Sequence, residues 1–160
     1  KEAGEKLFGG KEVEAAATQA ATDPQAKRSL DALNDKAARA IENYIASQKL
    51  GVQGVRVEYD GATGTVDVSG QAPTQEALEK VTLCCGNVAS VKQVNNLMAV
   101  SSPEPEAQYH DVVRGDTLSA IAKKYYGDAN KYPKIFEANK PMLSHPDKIY
   151  PGQKLRIPAL

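Results

Sequence analysis

Cysteine is scarce in this 160-residue chain: Cys84 and Cys85 are the two it has. Neighbours in sequence can hardly bridge each other, and two cysteines are too few for a secreted disulfide framework. A reduced, intracellular setting is therefore expected. No apolar run approaches the roughly 18–20 residues needed to span a bilayer. An excess of one charge is missing too, since 20 basic residues balance 20 acidic ones. No whole-chain field favours nucleic acid or an anionic membrane. The start, KEAGEKLF, has no secretory apolar core. It also has no initiator Met, so further residues, or a removed signal, are expected before Lys1.

Constellations for chemistry are equally sparse. The two histidines, His110 and His145, lie far apart without Cys or His companions at zinc spacing, and no EF-hand pattern occurs. Glu104 and Glu106 sit in a proline-containing segment, unlike positioned acid and base carboxylates. Ser119 has no plausible His and Asp arrangement. An enzyme is not expected. The cysteines have no basic neighbour to make either a nucleophile, and read as small core residues.

What is present suits a globular protein: 41% hydrophobic and 25% charged residues, in a chain long enough for one ordinary domain or two small ones. The pattern divides it into an N-terminal segment (1–22), a first domain (23–100), a linker (101–108) and a second domain (109–160). Residues 1–22 are rich in Ala, Glu and Lys, with a break at Gly9-Gly10. Asp23-Pro24 supplies an N-cap and a proline at the first helical position. Leu30, Leu33, Ala37, Ile41, Tyr44 and Ile45 then mark one helix face, which Gly51 stops. Val55, Val57 and Tyr59, the turn DGATG, then Val66 and Val68 predict a hairpin. Pro73 and Thr74 open a second helix with Ala77, Leu78, Val81, Cys84 and Cys85 inside and Gly86 as C-cap. Val94, Asn96, Met98 and Val100 predict a closing strand. This order gives a small α+β sandwich with its helices on one sheet face. SSPEPEAQ then reads as an extended linker.

In the last unit Tyr109, Asp111 and Val113 alternate as a short strand. Gly115 turns the chain, and Asp116 or Thr117 caps a helix with Leu118, Ile121, Ala122 and Tyr125 on its inner stripe, ending at Gly127. A second short helix carries Ile135 and Phe136, stopped before Pro141. IYPGQKLRIP supplies a turn and a last strand with Leu155 and Ile157.

The run from YHDVVRGDTL through IFEAN to IYPGQKLRIP resembles the LysM module along its whole length. VDVSG, the helix after it and VKQVNNLMAV resemble the BON domain. The expected fold is thus a BON-type αββαβ sandwich followed by a LysM-type βααβ unit. LysM resemblance implies a shallow groove for N-acetylglucosamine-containing glycans, formed here by Gly115, Asp116, Thr117, Leu118, Ile149 and Tyr150. Together with KEAGEKLF, GNVASV and KIFEANKPML, the two modules resemble the bacterial cytoplasmic potassium-binding proteins of BON–LysM architecture. Between Gly9 and Leu50 this chain has more residues than that family leads one to expect, many of them alanine.

That resemblance implies selective binding of K⁺ over Na⁺, a conformational change on binding, and a sensor role. A large monovalent cation suits a cage of neutral carbonyls. Helix C-termini direct unpaired carbonyls outward, so the expected ligands are the backbone carbonyls of Ala3, Gly86, Val88 and Val91. The expected partners are a potassium ion and, in the LysM groove, a glycan; neither nucleic acid nor a membrane span is expected, and the chain is expected to be a monomer. The competing reading is a peptidoglycan-binding protein of the periplasm or cell envelope.

Overall fold

The structure, a computed structural model, describes residues 4, 6–20 and 24–159. Asp23, expected as a helix cap, and Ala3, expected as an ion ligand, lie outside them. Eleven elements of regular structure follow in the order α1 (Gly10–Ala20), α2 (Pro24–Ser47), β1 (Gln53–Asp60), β2 (Thr65–Ala72), α3 (Gln75–Gly86), β3 (Gln93–Asn96), β4 (Ala99–Val100), β5 (Gln108–Asp111), α4 (Leu118–Tyr126), α5 (Tyr132–Ala138) and β6 (Lys154–Ile157). A 3-10 turn at Ala129–Lys131 leads into α5.

In the first domain β2 is central. It runs antiparallel to β1, with Tyr59 opposite Val66 and Val57 opposite Val68. It runs parallel to β3 and β4, with Val66 opposite Val94 and Ala72 opposite Val100. The connection from β2 to β3 must therefore cross over the sheet, and α3 makes that crossover. The alternation expected of the hairpin places Val57, Tyr59, Val66 and Val68 inward, where they meet Ala37, Ile41 and Ile45 of α2 and Val81, Cys84 and Cys85 of α3. Each fully buried Val or Ile here is worth about 1.5–3 kcal/mol over leaving it in water. Val13 of α1 is 2% exposed in the same core, and Leu7 and Phe8 pack against it. The Phe8 ring meets Tyr59 edge-on at 5.0 Å.

Two expectations for this domain need correction. The closing strand is not continuous: it breaks between β3 and β4 at Leu97 and Met98. There Met98 N–H donates to the side chain of Asn96 and Leu97, 66% exposed, donates to Val68 O. Nor is Gly86 the cap of α3. It is the last helical residue, and Asn87 caps the helix at φ −95°, its N–H directed at Leu83 O and Cys85 O. A Cβ on Gly86 would lie 3.5 Å from the Lys154 side chain of β6, so a small residue there suits close approach of the second domain.

The second domain pairs β5 antiparallel to β6, with His110 opposite Leu155. Its core holds Val112, Leu118, Ile121, Ala122, Ile135, Leu143, Leu155 and Ile157. Thr117 caps α4 by accepting from Ala120 N–H, and Gly127 ends it in the left-handed region at φ +74°. The strand expected to reach Val113 stops at Asp111, and Val113 is 59% exposed. Buried Asn139 fastens α5 to β6, donating to Ile135 O and Arg156 O and accepting from Arg156 N–H.

Alternation along β6 decides how the domains meet. Leu155 and Ile157 enter the second domain's core, which turns Lys154 and Arg156 towards α3. Arg156 Nε donates to Glu79 at 2.6 Å. Lys154 exchanges two backbone hydrogen bonds with the Asn87 side chain. Glu79 also accepts from Gln75 and from the linker N–H of Ala107. One buried carboxylate thus joins helix, linker and strand.

Candidate functional site

The loop after α3 gathers most of the expected ion ligands. Thr74 starts α3 by accepting from Ala77 N–H at 3.1 Å, and twelve residues later the helix delivers Gly86 to the loop. Val88 N–H then bonds Cys85 O, and Val91 N–H bonds Val88 O, each at 3.2 Å. Between them Ser90 adopts φ +80°, a left-handed conformation rare for a residue with a Cβ. Lys92 N–H closes the loop by donating to Gly64 O at 2.7 Å, which hands the chain to β3.

The N-terminal segment covers this loop closely. Gly4 has φ +108°, and a Cβ on it would lie 2.5 Å from Asn87 O. A Cβ on Gly10 would lie 1.8 Å from the Ser90 hydroxyl. Only glycine permits either approach. On α1, Glu14 forms an exposed pair with Lys92 at 3.9 Å.

Gly4, Gly86, Val88 and Val91 line one cleft of about 320 Å³, shared with Tyr150 and Gly152 of the second domain. The charged side chains on it are Lys11, Glu14 and Lys92. Among the described residues no three His, Cys, Asp or Glu side chains gather to hold a metal. Several of the lining residues, Gly4, Gly86, Val88 and Val91 among them, have backbone groups as their only oxygen donors, and neutral carbonyls suit a weakly hydrated monovalent cation far better than Ca²⁺ or Zn²⁺. A carbonyl has two lone pairs, so Val88 O can serve Val91 N–H and a cation together. The close fit of Gly4 against the loop is a cradle of the kind a backbone cage requires. Of the four expected ligands, Gly86, Val88 and Val91 line one cleft with Gly4, and Ala3 lies outside the described residues.

The residues expected of a glycan groove are distributed differently. Asp116 accepts from His110 Nε2 at 2.8 Å and from Val113 N–H at 2.9 Å. These bonds, the Val113 bond first, hold its carboxyl below the ordinary value. His110 is also within 3.0 Å of the Tyr125 hydroxyl through its other ring nitrogen. Thr117 is used as the α4 cap, Leu118 is buried, and Ile149 packs against the second domain's core. Gly115, at φ +92°, has open space around it. Tyr150 N–H donates to the Gln153 side chain, and the residue lines the interdomain cleft.

Three buried positions escape sequence reasoning. Glu79 and Leu83 occupy the side of α3 opposite its apolar stripe, yet are 2% and 1% exposed. Asn87 is 8% exposed. A buried turn of helix facing a second domain looks, in sequence, like a solvated one.

The fold and cleft define a two-module binding protein of BON–LysM type, and both modules are binding modules. Residues 33–102 match the BON domain family and residues 110–158 the LysM domain family. The chain is 42% identical over 159 residues to the potassium binding protein Kbp of Escherichia coli O6:H1, a match covering 99% of this chain and 94% of that protein; the chain belongs to that family. Shorter matches join it to an uncharacterized protein of Deinococcus radiodurans (54% over 50 residues, 31% of this chain and 19% of that one). An esterase of Mycobacterium tuberculosis is 45% identical over 53 residues, 33% of this chain and 11% of that protein. Among the described residues no helix is long and apolar enough to cross a membrane.

Proposed function

We propose that this chain binds K⁺ in the cleft between the loop after α3 and the N-terminal segment, through the backbone carbonyls of Gly86, Val88 and Val91, with Ala3 as a fourth ligand. The observation that supports it most is the convergence of three residues of one loop with Gly4 on a single cleft. Its likeness along nearly the whole chain to a protein named for potassium binding points the same way. A bound ion would draw the N-terminal segment onto the loop, so that K⁺ selects a more compact state by its differential affinity. That makes the chain a cytoplasmic K⁺ sensor acting as a monomer.

Titration with KCl and with NaCl at fixed ionic strength, followed by backbone amide shifts, tests the reading. K⁺ should move Gly4 and residues 86–91 at concentrations where Na⁺ does not; equal responses, or shifts that avoid this loop, overturn it. Small-angle scattering should show a smaller radius of gyration in K⁺. The glycan reading has less support, because Asp116, Thr117, Leu118 and Ile149 are already engaged within the LysM unit.

A further inference from the structure

Asn87 stands between two of the proposed carbonyl ligands, Gly86 and Val88, and it is gripped from three sides. Its N–H donates to Leu83 O at 3.0 Å, ending α3. Its backbone carbonyl lies under Gly4, where a Cβ would approach to 2.5 Å. Its side chain pairs with the LysM strand: Nδ2 donates to Lys154 O at 3.1 Å, and Oδ1 accepts from Lys154 N–H at 2.8 Å. The amide thereby imitates a neighbouring strand for β6, satisfying both polar groups of one residue 67 positions away. At 8% exposure the pair is shielded from competing water.

The peptide units on either side of Asn87 carry the carbonyls of Gly86 and Asn87, and the next carries that of Val88. A side chain fixed to another domain limits how far those units can rotate. For a cage of carbonyls this matters more for choosing between cations than for binding one. A loop free to tilt can contract around Na⁺, whereas a loop held at both helix and strand cannot follow the smaller ion.

We infer that Asn87 is a positioning residue through which the docked LysM domain sets the ion loop's preference for K⁺ over Na⁺. This rests on the K⁺ reading of the cleft. It assigns the second domain a role in the site that needs no glycan and no LysM ligand atom. Lys154 contributes only backbone groups to the contact, so the identity of its side chain is not what matters.

The test compares the full chain with Asn87→Ala and Asn87→Asp, titrating each with KCl and NaCl and monitoring amide shifts. Asn87→Ala should lower the ratio of K⁺ to Na⁺ affinity by about tenfold, the scale of an ordinary coupling between sites. Asn87→Asp keeps the acceptor for Lys154 N–H but loses the donor. It should lower the ratio too, because its second oxygen faces Lys154 O where the donor stood, although its new charge strengthens both cations. Glu79→Gln, which alters the same interface away from the loop, should leave the ratio unchanged. If Asn87→Ala does not fold, the aspartate variant decides by the same ratio. A wild-type chain that prefers K⁺ beside Asn87 variants with the same preference overturns the positioning role and leaves the K⁺ reading intact. A wild-type chain without any preference removes the K⁺ reading itself, and the inference with it.

Discussion

Glu79 of α3 and Arg156 of β6 form an ion pair across the domain boundary at 2.6 Å, their side chains 2% and 10% exposed. The carboxylate is also bonded by Gln75 and by Ala107 N–H, so its remaining lone pairs are satisfied. A buried pair of this kind contributes little over an apolar pair of the same volume, yet removing one partner strands the other charge.

The first prediction is a difference between single and double substitutions. Glu79→Ala or Arg156→Ala should each destabilise the protein by about 3–5 kcal/mol. The combined Glu79→Met, Arg156→Leu variant should recover most of that loss. Urea unfolding monitored by circular dichroism measures all three. Additive losses would show that the two side chains do not act as a pair.

The second concerns the thiols. Burial pushes the Cys84 thiol up to about 12 and raises that of Cys85, with the neighbouring sulfur adding to it. Both are neutral at pH 8, and the thiolate is the reactive species. A disulfide reagent such as Ellman's should therefore modify the native chain only as fast as it unfolds, and both sites at once in urea. Rapid labelling of one cysteine in the native protein would show that α3 opens locally.

These features differ in how legible they are in the sequence. The stripes Leu30–Ile45 and Leu118–Tyr125 can be read directly, because each side chain's neighbour lies one turn away. The interface cannot. Glu79 reaches its partner 77 positions along the chain and Asn87 reaches its own across 67, so the first resembles a polar residue on a solvated helix face and the second one at a solvated helix end. Gly86 looks like a helix cap for the same reason: the Lys154 side chain that packs beside it belongs to the other domain. The break at Leu97 reflects hydrogen bonding by Asn96, which alternation alone does not reveal. The ion loop is visible mainly through family resemblance, since backbone ligands leave no signature in side-chain chemistry.

The third prediction is a pH dependence in the LysM unit. Asp116 is held below its ordinary carboxyl value of 3.8 by the Val113 N–H, then by His110, with Lys124 adding a weaker pull. A depressed folded value means that the ionised carboxylate stabilises the fold above the unfolded value and that this contribution disappears as pH falls through the folded one. Asp116→Asn should lower the melting temperature at about pH 7, and the gap to wild type should close below about pH 3. A gap that is the same at both pH values would assign the effect to shape and not to charge.

The fourth returns to the contact between Gly4 and Asn87. A Cβ at position 4 would meet a backbone carbonyl at 2.5 Å, and at φ +108° the substituted residue is strained even before that clash. The obstacle is main chain, not the end of a flexible side chain, so the N-terminal segment has to lift from the loop. Because Gly4 lies outside the core built by α2, α3 and the sheet, Gly4→Ala should change global stability by no more than about 1 kcal/mol. Its effect should fall on the ion: K⁺ affinity is expected to drop about tenfold, and the compaction in K⁺ seen by small-angle scattering should shrink with it. Lost compaction with undiminished affinity would place the ion on the α3 loop alone. Unchanged values of both would show that the segment covers the cleft without helping to form the site.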